Sequence, residues 1–234
     1  MKLGIIGAMS IEVEALKNKM EDRISSELAG MTFYEGRLEK VPAVLVVCGV
    51  GKVNAAMCAQ ILCNHYKVSH IINTGVAGSL CADLDIGDFV ISTEAVYHDF
   101  DCHVLNPLYV VGQVPGLTVR SFPADEKLIE CAYQAAQTVY AGHATKGIVA
   151  SGDQFVCSKE RKKQIVEDTD AICTEMEGAA IAHTAWRNGV PYVVLRAISD
   201  KADDSAEMDY PTFEAIAAKR SAAVTCEMAR KLRA

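Results

Sequence analysis

The stretch YVVLRAIS, Tyr192–Ser199, is apolar or small at nearly every position and rich in β-branched residues. Such a run is typical of a strand buried on both faces, because a strand with one face in solvent alternates apolar and polar residues. A run with helical spacing, Glu177–Asn188, precedes it and ends at Gly189 and Pro191. This order of helix, stop and buried strand predicts an α/β protein.

The same alternation extends over the rest of the chain. The other predicted strands are Leu3–Gly7, Met31–Leu38, Val41–Val47, His70–Asn73, Phe89–Ala95, Gly147–Ser151 and Ala171–Met176. The other predicted helices are Ser10–Met20, Asn54–His65, Ala124–Val139, Ser158–Asp168 and Thr212–Leu232. Without an internal repeat or linker, residues 1–234 are predicted to form one three-layer α/β/α domain around a central mixed sheet.

Two segments between these elements are predicted to be loops. Residues 74–79 contain two glycines directly after a strand, and residues 98–118 contain two prolines and two glycines. The second segment is long for a connection in a compact domain, which favours a functional role.

Composition excludes several classes of protein. The chain has 23 Lys and Arg against 30 Asp and Glu, a net charge of −7 that repels nucleic-acid phosphates. Its one basic cluster, Lys159 with 161–163, is interpreted as a solvated helix face. No apolar run approaches the roughly 18 residues that span a membrane. We therefore expect neither a nucleic-acid nor a membrane partner.

Cysteine usage indicates the compartment. The nine cysteines are odd in number, none is paired as C-x-x-C, and most lie in apolar runs. This pattern is typical of small core residues in a reduced cytoplasmic protein. Glu12 and Glu14 directly follow the short N-terminal apolar stretch, so no signal peptide is expected.

Polar residues follow five of the predicted strands, where α/β proteins bind ligands. These endings are Gly7–Met9 with Glu12, Asn73–Gly78, Ser151–Phe155, Glu175–Glu177 and Arg196–Asp200. Carboxylates, one arginine, one aromatic ring and small residues fit a neutral, polyhydroxylated, heteroaromatic ligand. Ordinary polar caps of strands are the alternative interpretation.

Five segments together resemble a known family. In their order and spacing, these segments are similar to the 5′-methylthioadenosine/S-adenosylhomocysteine nucleosidases of the nucleoside phosphorylase superfamily. The segments are GIIGAM with Glu12, INTGVAG, SGDQF, TEMEGAAIAH and RAISD. The resemblance covers essentially the whole chain. It implies a nucleoside phosphorylase-like fold and hydrolysis of the bond between adenine and a 5′-thio-substituted ribose. It further implies a homodimer that needs no metal or cofactor.

The resemblance also implies roles for individual residues. Asp200 would protonate N7 of adenine, Glu12 would activate water, and Arg196 would help to hold that water. Glu177 would accept hydrogen bonds from the ribose hydroxyls. The remaining expected substrate-binding residues are Met9, Val76, Ala77, Gly78, Phe155, Val156, Met176, Ser199 and Tyr210, with Phe155 stacked on adenine and the backbone of Val156 paired with its edge.

Chemistry independently supports an acid and a base in such a site. Adenine leaves poorly as an anion, so a group must donate a proton to it, and an Asp does so near neutral pH only when its environment raises its pKa. Water attacking the sugar needs a base, as in inverting glycoside hydrolysis. Alternatively, Asp200 is a turn cap, Glu12 a first-turn acid favoured by the helix dipole, and Phe155 a core residue.

Two departures from the family pattern bear on specificity. The family's loop carries a serine where this chain has Val76, so a hydroxyl that could donate to Asp200 is missing. Ionised Asp200 is then less stabilised and its pKa is expected to be higher, unless Ser199 or a water donates to it instead. The loop 102–111 differs and is about two residues longer by the resemblance. Its apolar residues predict an interface: Val104, Leu105, Leu108, Tyr109, Val110 and Val111. The resemblance implies that this loop lines the partner subunit's pocket for the 5′ substituent.

Other functions stay open from the sequence. They are a purine nucleoside phosphorylase, a non-catalytic nucleoside-binding module, and a nucleosidase acting on aminodeoxyfutalosine. No metal site is expected from the cluster His98, Asp99, Asp101 and His103, because alternating residues point to opposite sides of an extended chain.

Overall fold

The computed structural model describes residues 1–140 and 143–233, over which the chain forms ten strands and six helices. The strands are β1 (Leu3–Gly7), β2 (Glu21–Leu28), β3 (Met31–Leu38), β4 (Val41–Val47), β5 (His70–Ser79), β6 (Phe89–Tyr97), β7 (Phe122–Pro123), β8 (Ala144–Ser151), β9 (Cys173–Glu175) and β10 (Tyr192–Asp200). The helices are α1 (Ser10–Lys17), α2 (Lys52–Asn64), α3 (Glu126–Val139), α4 (Lys159–Thr169), α5 (Gly178–Asn188) and α6 (Ala206–Arg233).

The predicted three-layer α/β/α fold is confirmed. Helices α1, α3 and α6 pack on one face of the sheet, where Leu16, Leu128 and Ala218 are fully or almost fully buried. Helices α2 and α5 pack on the other face through residues such as Leu62 and Ile181. Strand β10 is buried at all nine positions, as its apolar sequence predicts.

The mixed sheet divides along β5, and this division creates the site. The first part of β5 pairs with β1 on one edge, up to Asn73 opposite Ile6, while β10 pairs with its other edge. Further along, Gly78 and Ser79 pair with β9 in place of β1. Strand β9 pairs with β8, β8 with β6, and β6 with β10, which pairs with β5. These five strands therefore form a closed ring. Between the two pairings, backbone groups of β5 are free to bind side chains.

The prediction that residues 74–79 form a loop is wrong, because they continue β5. Glycine usually weakens a strand, but it also marks positions where other groups approach the backbone closely. A Cβ on Gly75 would lie 2.1 Å from Arg196 Nη1, and one on Gly78 would lie 2.7 Å from Asp200 Oδ1. These glycines make room for side chains of the site.

Strand β2 was not expected from the sequence. All eight of its residues are exposed, and they include Glu21, Asp22, Arg23 and Glu27. A strand at the edge of a sheet gains its backbone hydrogen bonds from one neighbour, here antiparallel β3, and needs no apolar face. The alternation that identifies strands is therefore missing.

Helix α6 begins at Ala206, six residues before the predicted start at Thr212, and includes Pro211. Acidic Glu207 and Asp209 in its first turn favour a helix N-terminus there. The short strand β7 was also missed, and α1 and β9 are shorter than predicted.

The basic cluster on α4 is only partly solvated, which corrects its interpretation as a solvated helix face. Arg161 donates to His98 Nδ1 and to the His98 carbonyl at 2.9 and 3.0 Å. Lys162 Nζ donates to the carbonyls of Ser79 and Lys201. Among the residues described, no helix is long and apolar enough to cross a membrane.

Candidate active site

A cleft that is open to solvent lies where the sheet divides. Clefts of this kind are the usual places where proteins bind small molecules. Every expected acid, base and substrate-binding residue except Arg196 lines it: Met9, Glu12, Val76, Ala77, Gly78, Phe155, Val156, Met176, Glu177, Ser199, Asp200 and Tyr210. Residues distant in sequence thus meet at one edge of the sheet.

Glu12 lies in the first turn of α1 and is buried. Its Oε2 accepts backbone N–H groups from Ala8 and Met9 at 2.7 and 2.9 Å, and its Oε1 accepts that of Val76 at 3.2 Å. Burial raises the pKa of Glu12, while the Arg196 charge and the three N–H groups oppose this rise. A fixed carboxylate with a raised pKa is suited to accept a proton.

Asp200 ends β10 and is also buried. Its Oδ1 accepts the backbone N–H of Ala202 and its Oδ2 accepts the Ser199 hydroxyl, both at 2.8 Å. Burial raises the pKa of Asp200 against these two donors. A carboxyl with a raised pKa keeps its proton to higher pH than a free carboxyl, which suits it to act as an acid. The hydroxyl that Val76 cannot supply comes from Ser199.

We expect Ser199→Ala to move the alkaline limb of the pH profile of kcat upward. The hydroxyl stabilises the ionised form of Asp200, so its loss raises the pKa of that carboxyl and the protonated acid persists to higher pH. A hydrogen bond to a charged acceptor is worth roughly 1.5–3 kcal/mol, which limits the shift to about 1–2 pH units.

The matched control is Ser79→Ala, because the Ser79 hydroxyl donates to the Cys81 carbonyl and not to Asp200. Its alkaline limb should coincide with that of the wild type. If the alkaline limb of Ser199→Ala stayed in place or moved to lower pH, the assignment of that limb to Asp200 would be refuted.

Arg196 is fully buried and does not line the cavity, and its expected part in holding the attacking water stays a prediction. Its Nη2 donates to Glu175 and, at 2.6 Å, to Asn73 Oδ1, and lies 3.7 Å from Glu177 Oε2. Arg196 therefore places positive charge behind the carboxylates of the site.

Glu175 is the principal residue that sequence reasoning left without a role. It accepts backbone N–H groups of Glu177 and Gly178 at the start of α5, together with the Ser151 hydroxyl and Arg196. A carboxylate at a helix N-terminus is favoured by the free N–H groups and the helix dipole. Its position just before the Ala-rich helix was the available signal.

Glu177 contacts Arg196 on one side and the backbone of Gly51 on the other. Its Oε1 accepts the N–H of Gly51 at 2.9 Å. Burial and the Glu175 charge raise the pKa of Glu177, and Arg196 opposes them. The carboxylate is oriented to accept hydrogen bonds from a ligand in the cavity.

Two aromatic residues, Phe155 and Tyr210, lie at the mouth of the cavity. Phe155 is 47% exposed, which excludes the interpretation as a core residue, and its ring meets Tyr210 edge to face at 5.5 Å. The Tyr210 hydroxyl donates to Glu214 Oε1 at 2.8 Å and contacts Met9 Sδ at 3.4 Å. An exposed ring at a cavity mouth is suited to stack on a planar ligand.

The long loop 98–118 is irregular as predicted and starts beside this mouth. Asp99 accepts Lys52 Nζ at 2.6 Å and the backbone N–H of Asp153 at 2.8 Å. Val104, Leu105 and Leu108 are 86%, 78% and 85% exposed. Within the described part of the chain, no group of three or more His, Cys, Asp or Glu residues could hold a metal ion.

Fold and cavity together define an α/β enzyme of the phosphorylase superfamily, whose family model matches residues 2–230. A 5′-methylthioadenosine/S-adenosylhomocysteine nucleosidase of Geobacillus kaustophilus is 42% identical, over 97% of this chain and 96% of its own. The Neisseria meningitidis enzyme of that name, solved with methylthio-immucillin-A, is 37% identical with a TM-score of 0.94, covering 98% and 99% of the two chains. Futalosine hydrolase of Helicobacter pylori is 32% identical with a TM-score of 0.93, covering 99% and 98%.

The chain belongs to the 5′-methylthioadenosine/S-adenosylhomocysteine nucleosidase family and is an N-glycosyl hydrolase. The resemblance read from the five sequence segments is thereby confirmed.

Proposed function

We propose that the protein, as a single catalytic domain over residues 1–234, hydrolyses the N-glycosidic bond of 5′-methylthioadenosine and S-adenosylhomocysteine. The products are adenine and the 5-substituted ribose. The observation that carries this proposal is the pair Glu12 and Asp200: two buried carboxyl groups with raised pKa values that line one cavity from different elements. An acid and a base are what hydrolysis of this bond requires.

Asp200 is the general acid of the proposed reaction. It donates a proton to N7 of adenine as the bond to the sugar breaks, so the base leaves neutral. The N–H of Ala202 and the hydroxyl of Ser199 hold the carboxyl in place and stabilise the carboxylate left behind.

Glu12 is the general base. It accepts a proton from the water that attacks C1 of the sugar. The N–H groups of Ala8, Met9 and Val76 fix its orientation, so little reorganisation is needed when the proton is transferred.

Glu177 binds the ribose hydroxyls beside Met176. Its negative charge also stabilises the positive charge that develops on the sugar in the transition state, which favours rate over simple affinity. Arg196 is a positioning residue. It donates to Glu175, which accepts backbone N–H groups at the start of α5 and so helps to hold Glu177 in place.

The name of the Geobacillus relative supports these two substrates, and 5′-deoxyadenosine shares their adenine and ribose. The reaction would serve methionine salvage and recycling in the methyl cycle. Nine free cysteines fit a cytoplasmic location.

Aminodeoxyfutalosine is the second candidate substrate, favoured by the likeness to the Helicobacter pylori futalosine hydrolase. A phosphorylase is disfavoured, because the Glu12 carboxylate would repel phosphate beside the sugar. A non-catalytic binding module would have no need of a separate acid and base.

The test is a comparison of adenine release from four nucleosides by the purified protein. We expect the highest kcat/KM with methylthioadenosine and adenosylhomocysteine, and turnover of 5′-deoxyadenosine. Turnover of aminodeoxyfutalosine alone would replace the proposed substrates with the second candidate, and adenine release from none of them would refute the proposal.

We further propose a homodimer in which the loop 98–118 contributes to the partner's site. Three large apolar side chains more than three-quarters exposed on one loop favour an interface. Light scattering at micromolar concentration should give twice the chain mass of 25.2 kDa, and Leu105→Glu with Leu108→Glu should shift it to the monomer. A monomeric wild type would contradict the proposal.

A further inference from the structure

Thr174, in the middle of β9, has a hydroxyl that the mechanism does not use. The residue is only 5% exposed and lines the cavity. Its Oγ1 is buried and has no hydrogen-bond partner among the residues described. A buried hydroxyl without a partner is costly, which favours a hydrogen bond to a ligand. Oγ1 has almost no accessible surface as placed, so a ligand atom in the cavity would reach it through a rotation about the Cα–Cβ bond of Thr174.

The pairing of β9 with β5 locates this hydroxyl relative to Asp200. Thr174 pairs with Gly78, and side chains of paired residues lie on the same face, with Cβ atoms roughly 5 Å apart. The Asp200 carboxylate lies against Gly78, with Oδ1 2.7 Å from the position that a Cβ on Gly78 would take. Thr174 therefore lies on the Asp200 side of the cavity, where the proposed mechanism places the adenine.

The other hydroxyl groups that line the cavity already have partners. Ser199 donates to Asp200 Oδ2, and Tyr210 donates to Glu214 Oε1. Residue 76, two positions before Gly78 on β5 and thus on the same face as Gly78, is a valine. Among the residues described, the neighbouring strand β9 thus carries the cavity-lining hydroxyl that has no partner.

We propose that Thr174 contacts the purine base and determines part of the affinity for it, through a hydrogen bond between Oγ1 and a polar atom on the edge of the base. This inference rests on the proposed function, since it takes Asp200 to bind N7 of the same base. It assigns to Thr174 recognition of the base and no part in proton transfer.

The test measures two properties of Thr174→Val, a substitution of nearly the same shape. Without ligand, the variant no longer buries an unpaired hydroxyl, so its melting temperature should rise by about 2–4 °C. Its dissociation constant for adenine, measured by calorimetry without turnover, should increase about 5- to 50-fold. Thr174→Ser keeps the hydroxyl and should bind adenine within about threefold of wild type.

Thr169→Val is the matched control. Thr169 is a buried threonine outside the cavity, and its hydroxyl donates to the Ile165 carbonyl at 2.6 Å. This variant should be less stable than the wild type and should bind adenine normally. A general effect of replacing threonine by valine would instead appear in both variants.

The outcomes separate this inference from the proposed function. If the wild type does not bind adenine, the proposed function fails. If the wild type binds adenine and Thr174→Val binds it equally or more tightly, or if Thr174→Ser loses as much affinity as Thr174→Val, the role of Thr174 alone is refuted. A more stable Thr174→Val with weakened adenine binding supports it.

Discussion

Asp200→Asn should abolish adenine release while leaving the fold intact. An asparagine amide keeps the shape of the carboxyl: its oxygen can accept the N–H of Ala202, and its NH₂ group can donate to Ser199, whose hydroxyl also lies 3.3 Å from the Ala77 carbonyl. The amide NH₂ donates hydrogen bonds but is too weak an acid to transfer a proton to the leaving adenine. Loss of a general acid lowers kcat by about 10²–10⁴.

Asp203→Asn is the matched control, since Asp203 lies three residues away, does not line the cavity and hydrogen-bonds to Ser205. It should keep activity within a few fold of wild type. Circular dichroism and melting temperature check that both variants are folded. A loss of less than about tenfold for Asp200→Asn would refute Asp200 as the acid.

Glu12→Gln should be nearly inactive and should still bind a substrate analogue. A glutamine cannot accept the proton of the attacking water, so we expect kcat to fall by about 10²–10⁴. Its oxygen can accept the N–H groups of Ala8 and Met9, but its NH₂ group then faces the N–H of Val76, where Oε1 accepts in the wild type. A modest loss of stability should accompany the loss of rate.

Glu14→Gln on the same helix is the matched control, because Glu14 is exposed and pairs with Lys17 at the surface. It should leave both kcat and binding unchanged. If Glu12→Gln lost binding and turnover equally, Glu12 would be a binding or structural residue instead of the base.

Fold class and layers could be predicted because buried parallel strands and amphipathic helices leave strong patterns. Tyr192–Ser199 is such a run, and β10 adds only Asp200 to it. Edge strand β2 could not be predicted, since its stability comes from hydrogen bonds to β3 and its side chains face solvent. The extension of β5 was missed for a different reason: its glycines accommodate side chains from distant segments.

The cavity-lining residues could be named from the sequence because strand endings meet at one edge of the sheet. The residues that hold these cavity-lining side chains in place could not be named in this way. Arg196 was named from the resemblance, but its burial and its pairing with Glu175 and Asn73 depend on how three strands are arranged. Thr174 was visible only as part of a motif, because a missing hydrogen-bond partner is a property of the folded chain.

Hydrolysis in ¹⁸O-labelled water tests the central claim most directly. With methylthioadenosine as substrate, adenine release should not depend on phosphate, and the free sugar should carry one ¹⁸O atom at C1, as measured by mass spectrometry immediately after the reaction. Unlabelled sugar phosphate that forms only when phosphate is present would show that phosphate, and not a water activated by Glu12, attacks the sugar.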